Sequence, residues 1–124
     1  MLIDEEKLAG QLTADMDEAV RSVYLLLAHA KMPSGIKIRP SGHGYIENEL
    51  RFERRDRWYF SAVLNKSWVL WYFRRPAISD LGKDPKELLQ IFPDATLNNK
   101  EEVKLRVRDL ATAYSIIGWV AQNG

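Results

Sequence analysis

Between residues 45 and 74 apolar and polar side chains alternate with a period of two, and Trp58, Tyr59, Phe60, Trp68, Trp71, Tyr72 and Phe73 crowd between positions 58 and 73. That period belongs to β-strands buried on one face. Connections this short can join only antiparallel neighbours, so the segment must be a meander. Everything else in the chain has to pack against it.

The commonest hairpin loops fix a register. With Arg54-Arg55-Asp56 as a three-residue loop and Asn65-Lys66 as a two-residue turn, Phe52, Trp58 and Phe73 form one cross-strand row, and Leu50, Phe60 and Trp71 the next. That face is the predicted core. The opposite face then carries Glu53, Arg57 and Arg74 in one row, Arg51, Tyr59 and Tyr72 in another, and Glu49, Ser61 and Leu70 in a third. Slipping the first hairpin by one residue would put Glu53 opposite Trp58 and expose Leu50 and Phe52, which argues against it.

On the N-terminal side, Leu8, Leu12, Met16, Ala19, Val23, Leu26 and Ala30 recur at three- and four-residue steps, predicting an amphipathic helix interrupted near Gly10. Thr13 is placed to restart it as an N-cap, with Asp15, Asp17 and Glu18 favouring the positive end of its dipole. Pro33 and Gly35 stop it, and Pro40 to Gly44 reads as a second break. Beyond the meander, Asp84-Pro85-Lys86-Glu87 opens a short helix that Pro93 ends. Ala95-Thr96-Leu97, a turn at Asn98-Asn99, and Val103 to Val107 predict a second hairpin, the asparagines supplying positive φ. Asp109 caps a last helix with Leu110, Ala113, Tyr114, Ile117 and Val120 on one face, widened by Ile116 and Trp119. The predicted fold is α+β: N-terminal helix, three-stranded antiparallel meander, short helix, β-hairpin, and C-terminal helix packed on the sheet, in one domain spanning 1–124.

Composition bounds function. The 124 residues are 46% hydrophobic and 28% charged, a globular balance. The chain has no cysteine, which excludes disulfides, thiolate metal sites and cysteine nucleophiles. Met1-Leu2-Ile3-Asp4-Glu5-Glu6 carries acid where a signal peptide would carry base, and charge interrupts every apolar run. A cytoplasmic protein with no membrane partner is expected. Net charge is only +1, but residues 36–75 hold nine bases and four acids, so the basic surplus lies in the meander.

The catalytic candidates are few. Asp94, followed by Glu102 and Lys104, matches the bare form of a metal-dependent nuclease signature, in which two carboxylates hold Mg²⁺ and the lysine orients water, with Glu87 in reach to assist. His29 closes the first helix as a structural cap. His43, in Ser41-Gly42-His43-Gly44, sits in turn chemistry and lacks the Lys-Ser/Thr ending of a phosphate loop, while Glu47 and Glu49 beside it form a weak metal set. There is no nucleophile elbow and no dinucleotide fingerprint.

A small intracellular, non-catalytic binding or interaction protein is therefore the leading expectation, with no cofactor and no metal site; the Mg²⁺-dependent nuclease is the alternative. Arg51, Arg57, Tyr59, Tyr72 and Arg74 are the candidate contacts for nucleic acid or another anion, since arginines neutralise phosphates and tyrosines stack on bases. Val63, Trp68 and Leu70 on the same outer face predict a homodimer.

Overall fold

A computed structural model describes residues 3–12, 16–33, 35–43 and 46–124, the side chains of 43, 46 and 47 excepted. The chain runs α1 (Glu5–Gln11), α2 (Glu18–Ala28), β1 (Lys37–His43), β2 (Ile46–Arg54), β3 (Arg57–Leu64), β4 (Val69–Phe73), α3 (Arg75–Asp80), α4 (Pro85–Ile91), β5 (Thr96–Leu97), β6 (Val103–Val107) and α5 (Leu110–Asn123). The strands make one six-stranded sheet in the order β1-β2-β3-β4-β6-β5, antiparallel throughout. The fold is α+β, as the sequence predicts. Among the described residues no helix is long and apolar enough to cross a membrane.

The core lies on the face of Leu50, Phe52, Phe60, Ala62, Trp71 and Phe73, all fully buried. Trp71 stacks on Phe60 with centroids 5.4 Å apart and meets Phe52 edge-on at 5.0 Å. Phe73 touches Trp119 of α5 at 5.1 Å and Phe92, just after α4, at 5.5 Å. Helices α2 and α5 pack on each other over this face, through Val20, Val23, Tyr24 and Leu27 and through Ala113, Ile116, Trp119 and Val120. One layer of helices on one face of a sheet is the arrangement that buries both apolar surfaces at once.

The register differs from the predicted one by a β-bulge. Phe52 pairs with Phe60 and Phe73, and Leu50 with Ala62 and Trp71. Glu53 does lie opposite Trp58, yet Phe52 stays in the core because the register shifts between them, leaving Tyr59 as the extra residue. The bulge releases Trp58 from the core and buries Tyr59 beside Phe60. The turn is two residues, Arg55 and Asp56, at φ 50° and 65°, and the next loop is 65–68, longer than the expected Asn65-Lys66 turn.

Other boundaries also moved. The first helical segment breaks after Gln11, beyond Gly10, and Asp17 precedes α2 as its N-cap; Thr13 and Asp15 lie outside the described residues. Ala19 is exposed and Met16 half-buried, so the buried stripe is one position round from the expected one. The break predicted at Pro40 to Gly44 falls on β1 instead, Gly44 lying outside the described residues; a proline is tolerated there because β1 is an edge strand with no outer ladder to feed. In the second hairpin the positive φ falls on Glu101, while Asn98 acts through its side chain, accepting from the N–H groups of Lys100 and Glu102, both at 2.9 Å. Leu110 and Tyr114 of α5, expected inside, are 44% and 60% exposed. Gln11 ties α1 to the sheet: its amide donates to the carbonyls of Ser41 and Glu49 at 3.0 and 3.1 Å and accepts from the Tyr24 hydroxyl at 2.7 Å. Burial pushes the Tyr24 phenol strongly upward in pKa, so it stays a donor.

Candidate functional site

Cross-strand partners share a face, so the ladder defines the surface opposite the core. One row reads Arg39, Arg51, Ser61, Tyr72, Lys104, Thr96 from β1 to β5. The next reads Glu49, Val63, Leu70, Arg106, and a third begins Lys37, Glu53, Trp58. Two tryptophans on this face carry arginines over their rings. Trp58 has the Arg51 guanidinium 3.8 Å from its centroid and that of Arg74 at 4.0 Å. Trp68 has Arg106 at 4.5 Å and Arg108 at 5.6 Å.

The two clusters differ in charge balance. Around Trp58 three arginines are paired with two carboxylates: Arg74 Nε donates to Glu102 at 3.1 Å, Arg51 and Glu53 are 3.4 Å apart, and Arg39 Nε donates to Glu53 at 3.1 Å. The Arg39–Glu53 pair, with Arg39 exposed, contributes about 0–1 kcal/mol and fixes geometry more than stability, whereas Glu102 is buried. Around Trp68, no carboxylate among the described residues is within ion-pair distance of Lys104, Arg106 or Arg108. These three cations, with Trp68, Leu70 and Asp94, border a depression of about 580 Å³. The strongest unneutralised charge on the face is therefore at the β4–β6 end.

Of the predicted contacts, Arg51, Tyr72 and Arg74 lie on this face, in the Trp58 cluster or the central row. Tyr59 and Arg57 do not join them. The bulge turns Tyr59 towards α3, where it is 4% exposed and its hydroxyl donates to Asp80 at 2.7 Å. Arg57 follows it, 2.8 Å from the same Asp80 oxygen. Burial first, and then the bond to Asp80, raise the Tyr59 pKa, against the opposing pull of Arg54. Sequence reasoning missed Arg106 and Arg108. Their alternation on β6 was visible, but that β6 is the neighbour of β4 was not.

Glu102 is occupied by protein groups: Oε2 accepts from Arg74 and Oε1 from the Asn98 amide at 3.1 Å. A metal there would have to displace both. Among the described residues no group of three His, Asp or Glu side chains is placed to hold an ion; the side chains of His43 and Glu47 lie outside them. His29 closes α2, its Nδ1 3.0 Å from the Leu25 carbonyl and its Nε2 2.7 Å from Glu5. The most exposed large apolar side chains among the described residues are Ile91, Leu97, Leu110 and Tyr114, away from the half-buried Val63, Trp68 and Leu70 of the sheet face.

Neither a known protein-family profile nor a solved structure matches the chain. It is 34% identical over 76 residues to the DnaJ protein P58IPK homolog of Arabidopsis thaliana, covering 60% of this chain and 14% of that one. It is 30% identical over 111 residues to the DnaJ protein P58IPK homolog B of Oryza sativa subsp. japonica, covering 89% of this chain and 21% of that one. The aligned stretch thus spans 14% and 21% of these relatives, so the similarity concerns one segment of much longer proteins.

Proposed function

We propose that the chain is a non-catalytic binding protein that holds single-stranded nucleic acid on the β4–β6 end of the sheet face opposite the core. The observation that carries this reading is the Trp68 cluster, where Lys104, Arg106 and Arg108 face solvent without a carboxylate partner among the described residues. Phosphates pair with these cations. Bases stack on Tyr72 and on the guanidinium planes held flat by the two tryptophans, each stacked base contributing about 1–3 kcal/mol. Trp58, covered by Arg51 and Arg74, positions cations and does not itself stack. A cytoplasmic location, giving access to such strands, belongs to the same proposal.

Anisotropy of a labelled oligonucleotide titrated at several salt concentrations tests it. Arg106→Ala and Arg108→Ala should each flatten the salt slope by about 0.7, the value for one phosphate contact on a single strand. Tyr72→Ala should lower affinity and leave the slope unchanged. Absence of binding at low salt overturns the reading. So does a dimer in light scattering that dissociates on Leu70→Lys, since the face would then join two copies.

A further inference from the structure

The depression at the β4–β6 end of the sheet face holds one acid that phosphate binding does not use. Asp94 borders it together with Trp68, Lys104, Arg106 and Arg108, around about 580 Å³, within the range of about 300–1,000 Å³ that small-ligand sites occupy. Opposite charges line one space, yet they do not meet. Among the described residues no cation is within ion-pair distance of the Asp94 carboxylate, and its side chain makes no hydrogen bond. Glu102, the other acid of the expected metal set, is by contrast held by Arg74 and Asn98. Both Asp94 oxygens are therefore open to an incoming donor.

The backbone that carries these groups is held before any ligand arrives. Trp68 ends a loop in which the Asn65 N–H donates to the Trp68 carbonyl at 3.0 Å and the Asn65 amide to the Val63 carbonyl at 3.3 Å. Asp94 follows Pro93 in the turn after α4, which the Ala95 N–H closes by donating to the Phe92 carbonyl at 2.9 Å. Lys104 stands half-buried between Tyr72 and Thr96 in the ladder, and the Arg106 guanidinium lies over Trp68 at 4.5 Å. A carboxylate, an ammonium and a flat guanidinium are thus presented around one space, with little backbone freedom left to lose on binding.

Resting on the strand-binding reading of the face, we propose that this depression selects guanine among the bases of a bound strand. The Watson–Crick edge of guanine runs acceptor, donor, donor: O6, N1–H and the N2 amino group. A carboxylate accepts from the two neighbouring donors at once, in the fork-to-fork pairing it also makes with arginine. Lys104, with three N–H donors and no acid partner among the described residues, serves O6. The ring stacks on the Arg106 guanidinium plane, whose edge N–H groups still reach a phosphate. The other bases do not match. Adenine and cytosine set one donor beside a ring-nitrogen acceptor, and thymine flanks its one donor with two carbonyls, so each turns a lone pair towards Asp94.

The probe is a short labelled oligothymidylate carrying one central guanine, adenine or inosine, titrated into the full chain at low salt and followed by anisotropy. The guanine strand should bind about tenfold more tightly than the adenine strand, the lower part of what a bidentate base contact supplies. Inosine, which keeps N1–H and O6 but lacks the N2 amino group, should fall between them. Asp94→Asn should abolish the guanine preference without weakening binding of the plain oligothymidylate, and Tm should hold because the side chain is exposed. The inosine comparison runs on the unmodified chain, so the test does not depend on that variant's folding. Equal affinities for the three strands, or a guanine preference that survives Asp94→Asn, overturns the proposal and leaves the strand-binding reading standing. No binding of any strand, the plain oligothymidylate included, overturns both.

Discussion

Replacing Glu102 by Gln tests the sheet-face electrostatics, because stability and binding should move in opposite directions. Glu102 accepts from Arg74 and from Asn98, each at 3.1 Å, with side chains 12% exposed for Glu102 and 28% for Arg74. Hydrogen bonds to charged groups contribute about 1.5–3 kcal/mol when buried. Partial exposure discounts that figure, and glutamine retains one acceptor oxygen, so the expected loss is about 1–2 kcal/mol. For a chain of this size the fall in Tm is about 3–8 °C by calorimetry. Binding should improve. Removing one negative charge about 7 Å from a phosphate, in a water-like dielectric, is worth about 0.6 kcal/mol, close to threefold. Freeing Arg74 for one more contact steepens the salt slope by about 0.7. Both are read from oligonucleotide anisotropy at a temperature where each protein is folded. Weaker binding at low salt, with Tm unchanged, would refute the reasoning on both counts. Loss of a Mg²⁺-dependent cleavage activity on the same substitution would place a metal at Glu102 and favour the nuclease alternative.

Tyr24→Phe should cost about 1–3 kcal/mol in urea denaturation, because the buried Gln11 carbonyl loses its 2.7 Å donor. Asp109, whose pKa is lowered by the Thr112 N–H it accepts from, caps α5. Its contribution is present above the ordinary carboxyl pKa of about 4 and is lost as pH falls through the lowered folded value. The stability gap between wild type and Asp109→Ala should therefore shrink on acidification below about pH 4, as followed by thermal melts; a gap that widens there contradicts the assignment. Leu27→Ala, fully buried in α2, should lower stability by about 2–5 kcal/mol in the same denaturation assay.

Period and capping residues were enough to locate most elements. Alternation between 45 and 74 carried the meander, Asp84-Pro85 opened α4, and Asp109 opened α5, because each signal depends on neighbours in the chain. Which face of the meander is apolar was legible too, since Leu50, Phe52, Phe60, Trp71 and Phe73 keep to one side under any register that buries them. The N-terminal segment was less legible. Leu8 and Val23 were read correctly as buried, but the stripe rotates after the break beyond Gln11, and a helical wheel cannot follow a helix that stops and restarts.

The site was decided by tertiary pairing. A single extra residue at Tyr59 moves Trp58 out of the core and under two arginines, and sends Tyr59 and Arg57 to Asp80, a residue on a helix the sequence did not announce. A bulge leaves the hydrophobic pattern on either side intact, so periodicity is blind to it. The pairing of β6 with β4 brings Lys104, Arg106 and Arg108 alongside Trp68, although the helices α3 and α4 and strand β5 lie between them in the chain. Sequence alone determined the strands β2, β3, β4 and β6, though not β1, and which side of each is oily away from the bulge at Tyr59. The order in which the strands lie, and hence which charges meet, depended on how α2 and α5 could cover one sheet face, a property of the folded chain as a whole.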